Sequence, residues 1–364
     1  MNVSDSFGNF QRTYAIGPSV TVVVPVHGRL ELAQRCIASI PQWAEVVVVD
    51  DGSPQDARSR LQPTCPRARF IVHEEAKGFA GAANAGLEAA GGEVRVVLNS
   101  DARLMPGALE ALTAAFADPS IGIAGPRLVF PDGSHQTSAS RFPTPLRLLT
   151  GSFALNEAYR AIRPRSRFPF ELGMAHAEHR SDRDVDWVIG ACIALRDTCL
   201  VELGGYDDEY PFYVEETDLC WRARQRGWRV RYVASATVVH EGGASSAPPA
   251  LLAEHLLQGE ARFMVRAYGE RSLPRWWASR VLGSAIKASA FGALAPFDSR
   301  MRNHAQWQRS ALAHLIGTAK ENFGRRSAQG LAERGVINLT DCMGRRLGAQ
   351  AERVASQGTQ AKGG

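Results

Sequence analysis

The sequence lacks the features that mark membrane-spanning, secreted and dinucleotide-binding proteins. It has no run of about 20 uncharged apolar residues, which argues against a helix that crosses a membrane. The amino-terminal residues 1–18 are polar and contain no hydrophobic signal core, so we expect a cytoplasmic protein. No GxGxxG motif follows the first predicted strand, which argues against a dinucleotide-dependent oxidoreductase.

The six cysteines show neither a CxxC pair nor a spacing typical of a zinc site. Three of them, Cys36, Cys192 and Cys220, lie inside apolar patterns. We therefore expect reduced, buried thiols rather than disulfides.

Charge is unevenly distributed along the chain. Residues 250–364 contain 17 Lys and Arg against 8 Asp and Glu, a net charge of +9; the whole chain carries +5, which leaves −4 for residues 1–249. Trp276 and Trp277 follow Arg275 in this basic region, a combination that suits an anionic membrane surface. The same residues would equally suit a helical subdomain packed on the rest of the chain, and both interpretations stay open. No basic aromatic sheet motif accompanies the charge, so we expect no nucleic-acid partner.

Continuous apolar runs at 21–26, 45–49 and 93–98 show no polar alternation, which predicts strands buried on both faces. Helical spacing at 30–40 and 79–90 separates them. This alternation predicts an α/β fold with a mixed, mostly parallel sheet flanked by helices, followed by helices beyond residue 250.

The length of 364 residues suits about two domains. We expect an amino-terminal extension (1–18), an α/β domain (19–245), a helical basic region (246–354) and a disordered tail (355–364). Within the α/β domain, the irregular stretch 131–184 is predicted to be a loop insertion over the cleft.

Polar residues follow two of the predicted buried strands. Asp50 and Asp51 end one strand, and Asn99, Ser100 and Asp101 end another. Ligands of open α/β sheets bind at the carboxyl ends of the strands. The acids therefore predict a hydroxyl-rich ligand, a divalent cation, or both.

Further motifs follow in a fixed order along the chain. The segments that carry them are 24–26, 49–53, 77–86, 98–102, 204–207, 215–220 and 240–243. In this order they resemble the family 2 glycosyltransferases, which are nucleotide-sugar-dependent inverting enzymes of the GT-A fold, and among them the rhamnosyltransferase-like branch.

The resemblance implies which residues bind the donor nucleotide. Asp50 and Asp51 would accept hydrogen bonds from the base and ribose, and the glycines at the start of a helix would let it approach closely. Trp187 would stack on a sugar at the acceptor side or belong to the core. The implied binding residues are Pro25, Val26, Asp50, Asp51, Gly78, Gly81, Asn84, Asn99, Ser100 and Trp187.

The resemblance also implies a metal site for Mg²⁺ or Mn²⁺, ligated by Asp101 with Asn99 and His240. Hard divalent cations prefer oxygen ligands, and a cation would neutralise the leaving diphosphate. Asn99 stands where the family has an Asp, which removes one charge. His240 would otherwise be a buried, hydrogen-bonded histidine.

An inverting transfer needs one base to take the proton of the acceptor hydroxyl. The family places it in an acidic pair at a helix start, which matches Glu215 and Glu216, with Glu216 as the base and Asp218 as the fallback. Glu216 replaces the usual Asp. The alternative is that these acids only complement the helix dipole.

The resemblance thus predicts transfer of a sugar, with rhamnose from dTDP-rhamnose as the suggested donor, to a glycan or lipid-linked glycan. The protein would be cytoplasmic or attached peripherally to the inner face of the membrane.

A non-catalytic nucleotide-sugar or glycan-binding protein is the alternative. A pyrophosphorylase is disfavoured because residues 26–30 lack its Gly-rich basic loop. The enzymatic interpretation requires the acids at 50–51, 101 and 215–216 to converge.

Overall fold

The computed structural model describes residues 19–152, 181–242, 249–294, 296 and 299–328. The strands are β1 (Val20–Val26), β2 (Glu45–Asp51), β3 (Arg69–His73), β4 (Val94–Leu98), β5 (Ala102–Leu104), β6 (Ile121–Val129), β7 (Ala139–Ser140), β8 (Arg183–Asp184), β9 (Trp187–Val188), β10 (Cys192–Arg196) and β11 (Arg229–His240). The helices are α1 (Leu30–Ala38), α2 (Ala57–Leu61), α3 (Gly78–Ala89), α4 (Ala108–Ala114), α5 (Pro145–Ser152), α6 (Asp197–Leu203), α7 (Glu215–Gln225), α8 (Pro249–Tyr268), α9 (Leu273–Leu294) and α10 (Ser299–Ala328).

A mixed nine-stranded sheet forms the centre of the fold, in the order β3-β2-β1-β4-β10-β6-β11-β5, with β8 paired to β11. The strands β1 to β4 run parallel, as does the β6–β11 pair. The strand β10 lies antiparallel between β4 and β6. The predicted fold class is therefore confirmed.

Both faces of the sheet are buried, as the unbroken apolar runs predict. In β1, Val22 and Val24 pack in one hydrophobic cluster and Val23 packs in the other, because successive side chains point to opposite faces. The helix α3 packs directly on the second face. A Cβ at Gly86 would lie 2.2 Å from Val23 Cγ1, so only glycine permits this close approach.

Several details differ from the predicted elements. The strand β11 is continuous from Arg229 to His240, and its pairing with β6 shifts register between Val233 and Thr237. The predicted loop insertion contains β7, α5 and β8 in its described part, and residues 153–180 lie outside the described residues. The expected extension 1–18 and tail 355–364 also lie outside them.

The described residues after 248 lie mainly in the three helices α8, α9 and α10, as predicted. Among the described residues, no helix is both long and apolar enough to cross a membrane. Trp276 is fully buried and donates to Glu260 Oε2 (3.1 Å), so this tryptophan packs within the helical region. Five of the six cysteines are free and buried, and Cys342 lies outside the described residues.

Candidate active site

A cavity of about 340 Å³ lies at the carboxyl ends of β1, β2 and β4. It forms there because these parallel strands are adjacent and end at the same edge of the sheet. Seven of the predicted site residues line it, namely Pro25, Val26, Asp51, Gly78, Asn99, Ser100 and Asp101. The cavity therefore lies where the ends of the buried strands predict a ligand site.

The two adjacent aspartates of β2 have different surroundings. Asp50 Oδ1 accepts a hydrogen bond from the Ser53 N–H (3.0 Å) and so closes the turn after the strand. Asp51 lines the cavity, and its two oxygens accept from the N–H groups of Lys77 (2.8 Å) and Gly78 (2.9 Å). His73 Nδ1 lies 2.8 Å from Asp51 Oδ1. Asp51 therefore anchors the start of α3, where the helix dipole favours a negative charge.

Besides Asp50, three predicted binding residues lie outside the cavity lining. Asn84 donates from Nδ2 to the Tyr206 carbonyl (2.9 Å) and accepts at Oδ1 from the Tyr206 N–H (2.8 Å), so its amide joins α3 to a segment 122 residues later. Gly81 packs against Lys77 of the preceding turn. Trp187 donates from Nε1 to the Arg141 carbonyl (2.9 Å). Asn84 and Trp187 thus join segments that are distant in sequence, and the ligand contacts of all three residues stay predictions.

The cavity also contains residues that the sequence did not single out. Arg29 lines it, with φ of 46°, directly after Gly28 with φ of 65°. This turn is tied to β2, because Gly28 N–H donates to Ser53 Oγ (2.9 Å) and His27 Nδ1 lies 2.7 Å from the Asp51 carbonyl oxygen. The glycine after β1 was the available signal for this turn. Nothing in the local sequence indicated that Phe212 would reach the same cavity.

Asp101 and His240 are distant in sequence and meet at the edge of the sheet. His240 Nε2 lies 3.4 Å from Asp101 Oδ1, and the pairing of β5 with β11 places His240 opposite Ala102. His240 Nδ1 lies 3.1 Å from Gln136 Oε1, so the amide holds the imidazole from one nitrogen while Nε2 is directed at Asp101. Metal-binding histidines are oriented in this way.

The donor set near Asp101 fits a divalent cation only in part. Asn99 Oδ1 is buried without a hydrogen-bond partner and belongs to a residue of the same cavity. No group of three or more His, Cys, Asp or Glu suited to a metal exists in the part of the chain that the structure describes. Two such side chains and an amide oxygen are nevertheless sufficient for Mg²⁺ or Mn²⁺ when phosphate oxygens complete the coordination.

Glu215 and Glu216 begin α7 beside this cavity without lining it. Glu216 Oε1 accepts from the Gly190 N–H (3.4 Å), and the next carbonyl, of Ala191, accepts from the Asn99 N–H (3.0 Å). The Oε2 atoms of both glutamates are buried without hydrogen-bond partners. Burial raises the pKa of both carboxyls, and the charge of Glu216 raises the pKa of Glu215 further.

Asp218, the fallback base, is fully buried and is paired with two arginines. Its oxygens contact Arg222 Nε (2.7 Å) and Arg266 Nε (3.0 Å), and Tyr210 donates to it (3.2 Å). A carboxylate with no exposed surface and two arginine partners is a structural centre, and an acceptor hydroxyl has no access to it.

The family model described as "Glycosyl transferase family 2" matches residues 21–175. Two curated relatives come from Mycobacterium tuberculosis. The "Pre-mycofactocin glycosyltransferase" is 31% identical over 62% of this chain, which spans only 44% of that relative's length. The "N-acetylglucosaminyl-diphospho-decaprenol L-rhamnosyltransferase" is 32% identical over 61% of this chain and 76% of its own length.

Solved structures with a similar fold are also glycosyltransferases. The mannosyltransferase PcManGT from Pyrobaculum calidifontis, in complex with GDP-Man and Mn²⁺, has a TM-score of 0.51 at 20% identity over 86% of this chain and 89% of its own. GalNAc-T7 with UDP, GalNAc and Mn²⁺ has a TM-score of 0.52 at 16% identity over 84% and 58%. At these identities the likeness concerns the fold, which is GT-A.

Proposed function

Because the chain belongs to glycosyltransferase family 2, we propose that it transfers a sugar from a nucleotide-sugar to a glycan or lipid-linked glycan with inversion at the anomeric carbon. The observation that supports this most is the contact of Asp101 with His240 at the edge of the cavity that contains Asp51. We propose rhamnose from dTDP-rhamnose as the first donor to test, since one relative is named as an L-rhamnosyltransferase. The same name leads us to propose a lipid-linked glycan as the acceptor.

The donor would occupy the cavity between β1, β2 and β4. Asp51 and the backbone around Pro25 would face the nucleoside. Arg29, the one Arg or Lys among the described residues that line the cavity, would bind the diphosphate, because a guanidinium matches phosphate oxygens in a bidentate manner.

The reaction would be one displacement. The ionised Glu216 takes the proton of the acceptor hydroxyl while that oxygen forms its bond to the anomeric carbon. The bond from the anomeric carbon to the diphosphate oxygen breaks on the opposite side, and the nucleoside diphosphate leaves with the electron pair. One base suffices because the bond-forming and bond-breaking steps occur together.

The residues that would hold Mg²⁺ or Mn²⁺ are Asp101, His240 and Asn99. Such a cation, when bound, neutralises charge on the leaving diphosphate. Gln136 would keep the imidazole of His240 oriented from the opposite nitrogen.

A thermal-shift screen of nucleotide-sugars, followed by an assay for nucleoside diphosphate release with candidate acceptors, tests the proposed function. The true donor should raise the melting temperature, because ligand binding stabilises the folded state. Donor binding without transfer to any acceptor would favour the non-catalytic alternative. The absence of both binding and transfer would contradict family activity for this chain.

Replacing Asp101 by Asn should remove most of the Mn²⁺ dependence of donor binding. In titration calorimetry, we expect Mn²⁺ to strengthen binding of the nucleotide-sugar to the wild type. The affinity of the variant for Mn²⁺ should be roughly 10–100-fold lower. Asp132→Asn, in an exposed loop, is the matched control and should bind as the wild type. Equal strengthening by Mn²⁺ in the Asp101 variant would exclude this carboxylate as a ligand.

We also propose that the helical region contacts an anionic membrane surface. Arg271 and Arg275 line a shallow groove with Tyr268 at the start of α9. Leu282, two turns further along α9, is 49% exposed, and Leu146, in α5, is 60% exposed. Exposed arginines next to aromatic and aliphatic side chains suit the lipid headgroup region.

The double variant Arg271→Gln/Arg275→Gln should weaken binding to vesicles that contain phosphatidylglycerol by roughly 2 kcal/mol, since each basic residue near such a surface contributes about 1 kcal/mol. Arg58→Gln/Arg60→Gln in α2, also exposed, is the control and should leave co-sedimentation unchanged. Equal binding of the wild type to neutral vesicles would contradict an electrostatic membrane contact.

A further inference from the structure

The loop before α7 has a backbone conformation that its residues rarely adopt. Tyr213 and Val214 have φ of 70° and 73°, in the left-handed region that disfavours a β-branched side chain. They directly precede Glu215 and Glu216. Such a conformation persists only where surrounding structure enforces it, and it is common at functional sites.

The helix α8 packs against this loop at Gly259. A Cβ at Gly259 would lie 2.9 Å from the Tyr213 carbonyl oxygen and 3.1 Å from Val214 Cγ2. Any side chain would therefore push against the Tyr213–Val214 turn. The absence of a side chain at this position lets the helix support the turn directly.

Two arginines of α8 hold the segment on either side of the turn. Arg262 and Arg266 both bind Asp207 Oδ2, at 2.9 and 2.5 Å. Arg266 Nε also binds Asp218 Oδ1 (3.0 Å), inside the first turns of α7. The guanidinium of Arg262 further lies 5.3 Å from the ring centre of Tyr210. The helix α8 thus binds the segment at both ends, Asp207 and Asp218, and packs closely against its middle at Tyr213–Val214.

We propose that α8 is a positioning element for the glycosyl transfer, in which Gly259, Arg262 and Arg266 hold the left-handed turn that aims Glu216 at the acceptor. The inference rests on the proposed function of Glu216 as base. It assigns to the helical region a role in the reaction itself, in addition to any membrane contact.

The variant Gly259→Ala tests this role. The added methyl group should displace the Tyr213–Val214 turn, and Glu216 with it. We expect kcat of sugar transfer to fall about tenfold or more, because small misplacements of a reacting group are costly. The KM for the donor should change much less than kcat, because Phe212 is the one residue of segment 207–218 that lines the cavity. Partial unfolding would also lower the apparent kcat without changing KM, so kcat is expressed per folded protein, with the folded fraction taken from the binding stoichiometry of a calorimetric donor titration.

Two companion variants separate positioning from a general effect of alanine. Gly317→Ala, in α10, places the same methyl group where nothing lies within 4 Å, and it should keep the wild-type kcat. Val214→Gly, added to Gly259→Ala, removes the contacting side-chain atoms and relieves the left-handed strain at position 214, so it should restore part of kcat. If Gly259→Ala does not fold, Arg262→Gln replaces it, with a smaller expected fall in kcat and again a smaller change in the donor KM than in kcat.

A crystal structure of Gly259→Ala gives a readout independent of activity. We expect Tyr213–Val214 to shift and the Glu216 Oε1 to Gly190 N distance, now 3.4 Å, to change. An unmoved turn, or wild-type kcat with a folded variant, would overturn the positioning role. If the wild type transfers no sugar from any donor while the turn shifts as expected, the proposed function fails and the structural dependence on α8 stands.

Discussion

Replacing Glu216 by Gln is expected to lower kcat of sugar transfer by about 10²–10⁴-fold, the usual contribution of a general base. The amide has nearly the same shape and can still accept from the Gly190 N–H, but it cannot take a proton. Donor affinity should not change, because Asp51 and Asp101 line the cavity and Glu216 does not. Steady-state kinetics together with calorimetric titration of the donor separate the two effects.

The pH dependence of the wild type provides a second signature of the same base. Burial raises the pKa of Glu216, and only the ionised carboxylate can accept the proton. The rate should therefore fall, as the pH is lowered, at a higher pH than for an exposed glutamate. The residual activity of Glu216→Gln should lack this dependence.

Glu88→Gln, an exposed change of the same kind in α3, is the control for Glu216→Gln. It should leave kcat, donor affinity and the pH profile unchanged. Wild-type turnover in the Glu216 variant would exclude this residue as the base. An equal loss of donor affinity and kcat would indicate that Glu216 binds substrate and does not transfer a proton.

The sequence was sufficient to predict the sheet and the convergence of Asp51 with Asp101. Both depend on local signals, because an unbroken valine run predicts a doubly buried strand and the end of such a strand predicts a ligand edge. The contact of His240 with Asp101 was not readable from spacing. It was implied only by the resemblance to a family, and the pairing of β5 with β11 produces it.

Asn84 and Asp218 show where local patterns were insufficient. An asparagine in a Gly-rich helix and an acid near a helix start carry the same local signal whether they face a ligand or a distant backbone. Which way each side chain faces depends on its partners in the fold, which are Tyr206 for Asn84 and the arginines at 222 and 266 for Asp218. The antiparallel insertion of β10 between β4 and β6 was hidden for the same reason, since strand order depends on long-range pairing.

The ion cluster around Asp218 should make a large contribution to stability. Asp218→Asn is expected to lower the free energy of unfolding by about 3–5 kcal/mol, the usual cost of removing one partner of a buried ion pair. The lower figure is the better expectation, because Arg222 would lose its buried partner while Arg266, whose side chain is 35% exposed, regains some hydration. Urea unfolding measures the change as a lower midpoint with an unchanged slope.

Asp184→Asn is the matched control for this substitution, because Asp184 also pairs with two arginines, at 229 and 231, but its side chain is 37% exposed. Exposed pairs contribute about 0–1 kcal/mol, so this variant should unfold close to the wild type. The comparison mainly tests burial, since the charge and the number of arginine partners are alike. If Asp218→Asn abolished sugar transfer and left stability near the wild type, Asp218 would replace Glu216 as the proposed base, and its ion pairs would not be what stabilises this part of the core.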